Sequence, residues 1–313
     1  MKRQKLNKLT QAIRQLSWQD RQALQDELAA LQGQDAGIRV IEAQARPNCP
    51  SCEGTHIVKN GMARGLQRYL CRNCGRTFSA LTATPLNGLH KRQLWLAHTQ
   101  ALSEGLSIPQ VAKELGIARS TAHRWRHRFL RLPSEQQAQE LVGIAEADES
   151  YFLDSSKGDR GLLRKPRRRG GKASKPGVSK EQVAVLMVRD RSGATANLIV
   201  PRTTAAELSG ALQPMLPTDT ILCTDGSRSL AAAANILGVQ HRSVNVSAGV
   251  RVDGPWHIQN VNAYASRLRG WMRRFKGVAT KYLASYLGWF RMLDGAPGSA
   301  PQPASILALA IAG

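Results

Sequence analysis

Residues 144–152 read Ile-Ala-Glu-Ala-Asp-Glu-Ser-Tyr-Phe, and residues 221–226 read Ile-Leu-Cys-Thr-Asp-Gly. The first run has strand-like composition and carries Asp148 in its middle. The second is a short strand that ends on Asp225. Between them, 183–189 and 195–200 read as two more strands, joined by the turn Asp190-Arg191-Ser192-Gly193. A helix over 205–215 comes before the Asp225 strand. After it the pattern predicts a helix over 227–237, a short strand over 241–246, and helices over about 257–275 and 281–290.

Three antiparallel strands, helix, strand, helix, strand, helix is an order that suits an α/β RNase H-like fold. Adjacent strands of one sheet would then hold Asp148 and Asp225 within a few ångströms. Two such carboxylates can bind a pair of magnesium ions about 3.5–4 Å apart, which activate an attacking oxygen and stabilise a leaving one. Acidic residues are scarce in this half of the chain, so their positions at strands carry information. Glu149 alternates to the opposite sheet face and is a poor substitute for Asp148.

The composition says what such a site would act on. The chain has 313 residues, a formal net charge of +22 and a sequence pI near 10.7. That length suggests two or three compact units, and 42% hydrophobic residues are enough for real cores. The positive excess repels itself in a compact fold unless a polyanion is the partner, and nucleic acid is the natural one. The basic N-terminus has no apolar signal core, and no window approaches about 18 apolar residues, so no membrane role is expected. The expected place is the cytosol, near DNA.

Four of the five cysteines fall in two pairs, Cys49-Pro-Ser-Cys52 and Cys71-Arg-Asn-Cys74, with 18 residues between them. Two such knuckles complete the thiolate tetrahedron that Zn2+ prefers, and a hairpin between them, turning at Asn60-Gly61, makes a zinc ribbon. Its arginines, Arg64, Arg68, Arg72 and Arg76, favour phosphate. Downstream, residues 106–130 read as a helix-turn-helix. Gly116 allows the turn, while Ile117, Ala122 and Trp125 bury the second helix. Arg119, Ser120, His123, Arg124 and His127 then face outward, as in a helix that reads a major groove. Residues from about 5 to 32 form two short amphipathic helices, with Ser17 capping the second through Asp20. They read as a packing or dimerising arm.

The order of zinc ribbon, helix-turn-helix, Ala147-Asp148-Glu149-Ser150-Tyr151-Phe152, Thr224-Asp225-Gly226 and His257…Asn262…Arg269 resembles the ISXO-type bacterial insertion-sequence transposases. So does Gly277-Val278-Ala279-Thr280-Lys281-Tyr282-Leu283, followed by Tyr286-Leu287-Gly288-Trp289. The resemblance implies an RNase H-like recombinase with a D, D, E or D, D, N triad that uses Mg2+ or Mn2+. By the matching positions the triad is Asp148, Asp225 and Asn262, and Arg269 holds the basic place of the motif. Seven residues are about two helical turns, so Asn262 and Arg269 share a face. Arg269 would grip a terminal phosphate while Asn262 faces the metal. The implied activity is metal-dependent DNA strand cleavage and strand transfer at the ends of an insertion sequence. The partner is double-stranded DNA, bound by a homodimer or higher assembly.

The expected boundaries are a helical arm over 1–45, the zinc ribbon over 46–80, the helix-turn-helix over 90–132, the catalytic domain over 140–292 and a low-complexity tail over 293–313. The tail, rich in Ala, Pro, Gly and Ser, is expected to be poorly ordered. The run 157–180 holds ten Lys or Arg against one Asp and reads as a mobile loop, either a DNA clamp or a solvated surface. His257 is either a helix-start residue or a phosphate contact. Asn262 adds no negative charge and cannot act as a base. An inactive DNA-binding regulator derived from a transposase is therefore the competing function, with a structure-selective nuclease as a third.

Overall fold

In the computed structural model of the chain, residues 3–45, 48–162, 173–174, 179–244, 248–295 and 300–312 are described. They form two compact units, Met1–Phe129 with Gln302–Gly313, and Leu130–Pro301. No helix among the described residues is long and apolar enough to cross a membrane.

The first unit begins with α1 (Arg3–Gln15) and α2 (Trp18–Ala43). The Ser17 hydroxyl accepts from the Asp20 backbone N–H at 3.1 Å, the cap that the sequence predicts. α2 continues beyond the expected end near residue 32, because Ile38 and Ile41 keep an apolar face and Ile41 is fully buried. Next comes a three-stranded antiparallel sheet of β1 (Ile57–Ala63), β2 (Leu66–Cys71) and β3 (Thr77–Phe78). Its hairpin turn is not at Asn60-Gly61 but at Arg64-Gly65, where Ala63 pairs with Leu66. Both turn residues have positive φ, as a tight two-residue hairpin demands. Asn60-Gly61 lies instead where the register shifts between Lys59 and Met62, with Gly61 left-handed, so its glycine serves a bulge.

The unit is completed by α3 (Trp95–Ser103), α4 (Ile108–Glu114) and α5 (Arg119–Phe129). Trp95, Leu102, Trp125 and Phe129 form its buried centre, with the Trp95 and Phe129 rings edge-on at 5.7 Å. In the second unit, α6 (Arg131–Glu135) leads into β4 (Ile144–Leu153), β5 (Gln182–Asp190), β6 (Thr195–Val200), α7 (Ala205–Leu212), β7 (Ile221–Thr224), α8 (Arg228–Leu237), β8 (Gln240–Ser243), α9 (Gln259–Met272) and α10 (Leu283–Asp294). The sheet order is β6-β5-β4-β7-β8, with β4, β5 and β6 antiparallel and β4, β7 and β8 parallel. The Asp190 carboxylate closes the turn between β5 and β6 by accepting from the Gly193 and Ala194 backbone N–H groups at 2.9 and 3.0 Å.

Alternation along the strands gives this sheet two different faces. Ala145, Ala147, Leu186, Val188 and Leu222 join Leu208, Leu212, Leu230, Ala233 and Ala234 in one apolar core that holds α7 and α8. The other face carries Glu146, Asp148 and Ser150, and there α9 packs on β4 and β5 while α10 packs on β6. A tight aromatic group ties α9 to α10, with the Trp271 and Trp289 rings edge-on at 4.9 Å. Gly288 lets α10 approach α6, since a Cβ there would collide with the Pro133 carbonyl.

One expectation about a mobile segment changes, and another falls largely outside the described residues. Of the basic run, 163–172 and 175–178 lie outside the described residues. At its start, Lys157 Nζ donates to the carbonyls of Phe275, Lys276 and Gly277 at 3.1, 3.3 and 2.6 Å. The tail contains an ordered helix, α11 (Pro303–Ile311), packed on α2, α3 and α5. Ile306, Leu307, Ala310 and Ile311 are buried there, so a spaced apolar face outweighs the loop-like composition. The Leu307→Ala variant is expected to lose about 2–5 kcal/mol of stability in denaturant unfolding. A loss within about 0.5 kcal/mol, as at an unpacked surface site, would mean that the helix does not hold the unit together.

Candidate functional site

The ribbon is built on two matching knuckles. The Glu53 N–H returns to the Cys49 carbonyl at 2.8 Å, and the Gly75 N–H to the Cys71 carbonyl at 2.9 Å. Glu53 and Gly75 are both left-handed, so each chain folds back and aims two thiols the same way. The four sulfurs of Cys49, Cys52, Cys71 and Cys74 all lie within 4.8 Å of one another. The closest pairs, Cys49 with Cys74 and Cys52 with Cys71, stand at 3.7 and 3.6 Å. With Zn–S bonds of about 2.3 Å, a tetrahedron needs sulfurs roughly 3.8 Å apart, so the quartet fits zinc. The ribbon's apolar cluster is small: Cys49, Cys71 and Phe78, flanked by Ile57 and Tyr69.

In the helical segment, Gly116 has φ of +59° between α4 and α5, and Ile117, Ala122 and Trp125 are buried as read from the sequence. Arg119, Ser120 and Arg124 are exposed on α5, and His123 is half-buried. His127 departs from the outward expectation. Its ring nitrogens are buried, and burial, then the charges of His123 and Arg126, hold its pKa down to about 4. Neutral His127 stacks edge-on with His123 at 4.6 Å. Arg126 also turns inward, donating to the Leu106 carbonyl at 2.5 Å.

The acidic cluster follows from strand register. β4 and β7 run parallel with Glu146 opposite Cys223. Asp148 and Asp225, each two residues further on, therefore reach the same level on neighbouring strands. Beyond Thr224 the chain turns through Gly226, with φ of +91°, so Asp225 stands free of the ladder. Its Oδ1 accepts from the Ser227 N–H at 3.1 Å. Burial, then the negative charge of Asp225, raises the pKa of Asp148, while the Glu149 N–H and Arg269 oppose the shift. Glu149 is raised by burial and then by Asp148 and Asp225, and the Ser227 hydroxyl donates to it at 3.4 Å. Alternation puts Glu149 on the other face, yet its charge belongs to the same cluster. Three mutually repelling carboxylates suit a divalent cation, which would offset their charge.

The helix α9 lies along β4 and runs the same way. Val261 near its start meets Glu146, and Arg269 Nη2 donates to Ser150 Oγ at 2.6 Å. Four strand residues rise about 13 Å and eight helix residues about 12 Å, so the two elements keep pace. Arg267 faces α10, pairing with Asp294 at 2.7 and 2.9 Å. Helical spacing sets Asn262 and Arg269 on the opposite flank. Arg269 reaches the cluster electrostatically. Asn262 is exposed, and among the described residues no hydrogen bond joins its side chain to Asp148 or Asp225.

Sequence reasoning missed Glu146, which fixes the start of α9. This carboxylate is fully buried and meets Arg191 Nε at 3.1 Å and His257 Nδ1 at 3.2 Å. It also accepts from Asn260 Nδ2 at 3.0 Å and the Val261 N–H at 2.9 Å. Arg191 Nη1 lies 2.6 Å from His257 Nε2, and His257 Nδ1 also accepts from the Gln259 backbone N–H at 3.3 Å. His257 is thus a helix-start residue. The signal available in the sequence was period two: Glu146 shares a sheet face with Asp148 and sits deeper in the strand.

Comparison with known proteins agrees with this anatomy. Residues 140–291 match the ISXO2-like transposase domain, and residues 91–136 match the homeodomain-like domain. A protein in the transposable element ISH50 of Halobacterium salinarum is 28% identical over 249 residues, which cover 78% of this chain and 84% of that protein. Among solved structures, a chain of the simian T-cell lymphotropic virus intasome in complex with PP2A regulatory subunit B56 gamma aligns at 12% identity and a TM-score of 0.29, over 63% of this chain and 68% of that one. A chain of the pre-cleavage Mos1 transpososome aligns at 13% identity and a TM-score of 0.21, over 62% and 74%. From the two domain matches, this chain carries an ISXO2-like transposase domain preceded by a homeodomain-like domain.

Proposed function

We propose that this protein is a DNA transposase that binds the ends of an insertion sequence and performs cation-dependent strand cleavage and strand transfer. The observation that carries this reading is the placement of Asp148 and Asp225, each two residues beyond the Glu146–Cys223 pair of neighbouring strands, where burial and then the charge of Asp225 raise the Asp148 pKa. When bound, magnesium or manganese supplies an activated water and charge stabilisation for displacement at a phosphodiester. In an RNase H-like core, Asp148 and Asp225 would hold the cations and Asn262 would offer its amide oxygen. Arg269, steadied by Ser150, would orient a terminal phosphate. Arg119, Ser120, His123 and Arg124 would read base edges, and the zinc-filled ribbon would contact phosphates. Pairing two ends calls for at least two copies. Exposed Leu6, Leu9, Trp18, Leu28 and Leu31 on the N-terminal helices support an arm that meets a second copy at the nucleoid.

One observation favours the competing reading of an inactive DNA-binding regulator, namely that Asn262 is neutral, exposed and not hydrogen-bonded to either carboxylate. Nicking of a duplex that ends in the element's inverted repeat separates the two. Asp148→Ala and Asp225→Ala are expected to lower magnesium- or manganese-dependent nicking at least about 100-fold. Asn262→Asp should keep or raise it and Asn262→Ala should lower it. A wild-type protein that never nicks would leave only the regulator.

Burial and Asp225 give Asp148 a folded pKa above its unfolded one. Its favourable contribution to the metal-free fold is therefore present at low pH and lost as pH rises through the raised value. Above neutral pH, Asp148→Asn should melt higher than wild type without metal and should lose the rise in melting temperature that magnesium gives wild type. Equal magnesium stabilisation of both proteins would argue against a cation at Asp148. Glu146 acts by positioning α9, so Glu146→Gln should cut nicking roughly 10- to 100-fold, as outer-shell changes do. Nicking by Glu146→Gln at the wild-type rate would leave Glu146 no part in positioning the helix.

A further inference from the structure

A cleft of about 180 Å³ opens in the first unit between the tip of the ribbon hairpin, α2 and the segment that leads into α3. Arg64, His90, Lys91 and Arg92 line it, above Ile38 and Leu89. Arg64 occupies the hairpin turn with φ of +51°, and Lys91 precedes the first turn of helix with φ of +56°. Both are left-handed conformations, which usually fall to glycine, yet here each carries a long cationic side chain. Arg92 Nη1 donates to the Arg64 carbonyl at 2.7 Å and ties the two walls together. Arg92 itself has a lowered pKa, first from burial and then from the charge of Arg64. All four ionisable side chains in the lining are basic, and no carboxylate lines the cleft among the described residues. Cations crowded this way repel one another until an anion joins them.

We propose that this cleft receives one backbone phosphate of duplex DNA, held by Arg64, Lys91 and Arg92, and so locks the ribbon and the helical segment onto the same duplex. The inference rests on the DNA-binding reading above and assigns it a specific contact. Arg64, His90 and Lys91 are exposed at the rim, so a polymer can reach them as readily as a free ion. The volume equals about six waters at roughly 30 Å³ each, room for a phosphate group with residual water. The net charge of +22 favours a polyanion over a lone ion as occupant.

The test uses the full chain with Arg64→Gly and Lys91→Gly, because glycine suits both left-handed positions and preserves the fold. Affinity for a short duplex of mixed sequence is measured by fluorescence anisotropy across a salt series, and melting is followed in parallel. Each variant should melt at or above the wild-type temperature yet bind duplex about three- to tenfold more weakly. The slope of log affinity against log salt should fall in each variant, and by about 0.9 in the double variant, the value for one lost phosphate contact. Inorganic phosphate at millimolar concentration should not protect the cleft in place of DNA. Variants that gain stability but keep both affinity and slope would overturn the proposal and leave the DNA reading intact. Saturation of the cleft by inorganic phosphate without any change in duplex affinity would assign it to a free anion and overturn the proposal too. Failure of the wild-type chain to bind any duplex would overturn both readings.

Discussion

The parallel pairing of β4 with β7 forces like charges together. Glu146 opposite Cys223 fixes the register, so Asp148 and Asp225 arrive side by side whether or not their electrostatics favour it. What makes the sheet tolerate this is its other face, where Ala145, Ala147, Leu186, Val188 and Leu222 meet α7 and α8. One set of alternating positions supplies cohesion and the other carries the acidic candidate site. Stability and site are thus separated by a single residue of register, and a slip by one would exchange them.

The same face is finished by α9, and its docking is electrostatic at one end and aromatic at the other. Glu146 receives the first turn of the helix through a backbone N–H, an amide, a histidine and an arginine. At the far end the Trp271 ring packs among Phe275, Trp289 and Phe290. A buried carboxylate costs several kcal/mol to desolvate unless its oxygens are fully occupied. Glu146 has four partners, so its burial also dictates where α9 must begin. Asn262 and Arg269 inherit their positions from that start.

Much of this was legible because local rules and tertiary packing agree. The strand and helix order of the second unit, the Ser17 cap, the Gly116 turn and the cysteine spacing each follow from short-range signals. What could not be read depends on contacts far apart in the chain. Asn60-Gly61 and Arg64-Gly65 are both plausible turns by local chemistry, and the pairing of Ala63 with Leu66 decides between them. His127 falls at an outward position by spacing alone, but its ring nitrogens are buried in the fold. Glu146 read as one acid among three in a strand, since its partners lie near residues 191 and 257–261. Composition misled at the tail, where Ala, Pro and Gly obscure the apolar spacing of Ile306, Leu307 and Ala310.

The helix α11 also has a consequence for the time at which the first unit can mature. Its buried residues belong with Met1–Phe129, but a ribosome reaches them only after making the whole of Leu130–Pro301. A nascent chain can form its metal knuckles and the turn at Gly116 early, yet the apolar groove over α2, α3 and α5 stays uncovered until translation has passed residue 311. The domain with the homeodomain-like match is then closed last, although its sequence comes first. Such an order delays completion of the first unit until the second exists in the same chain.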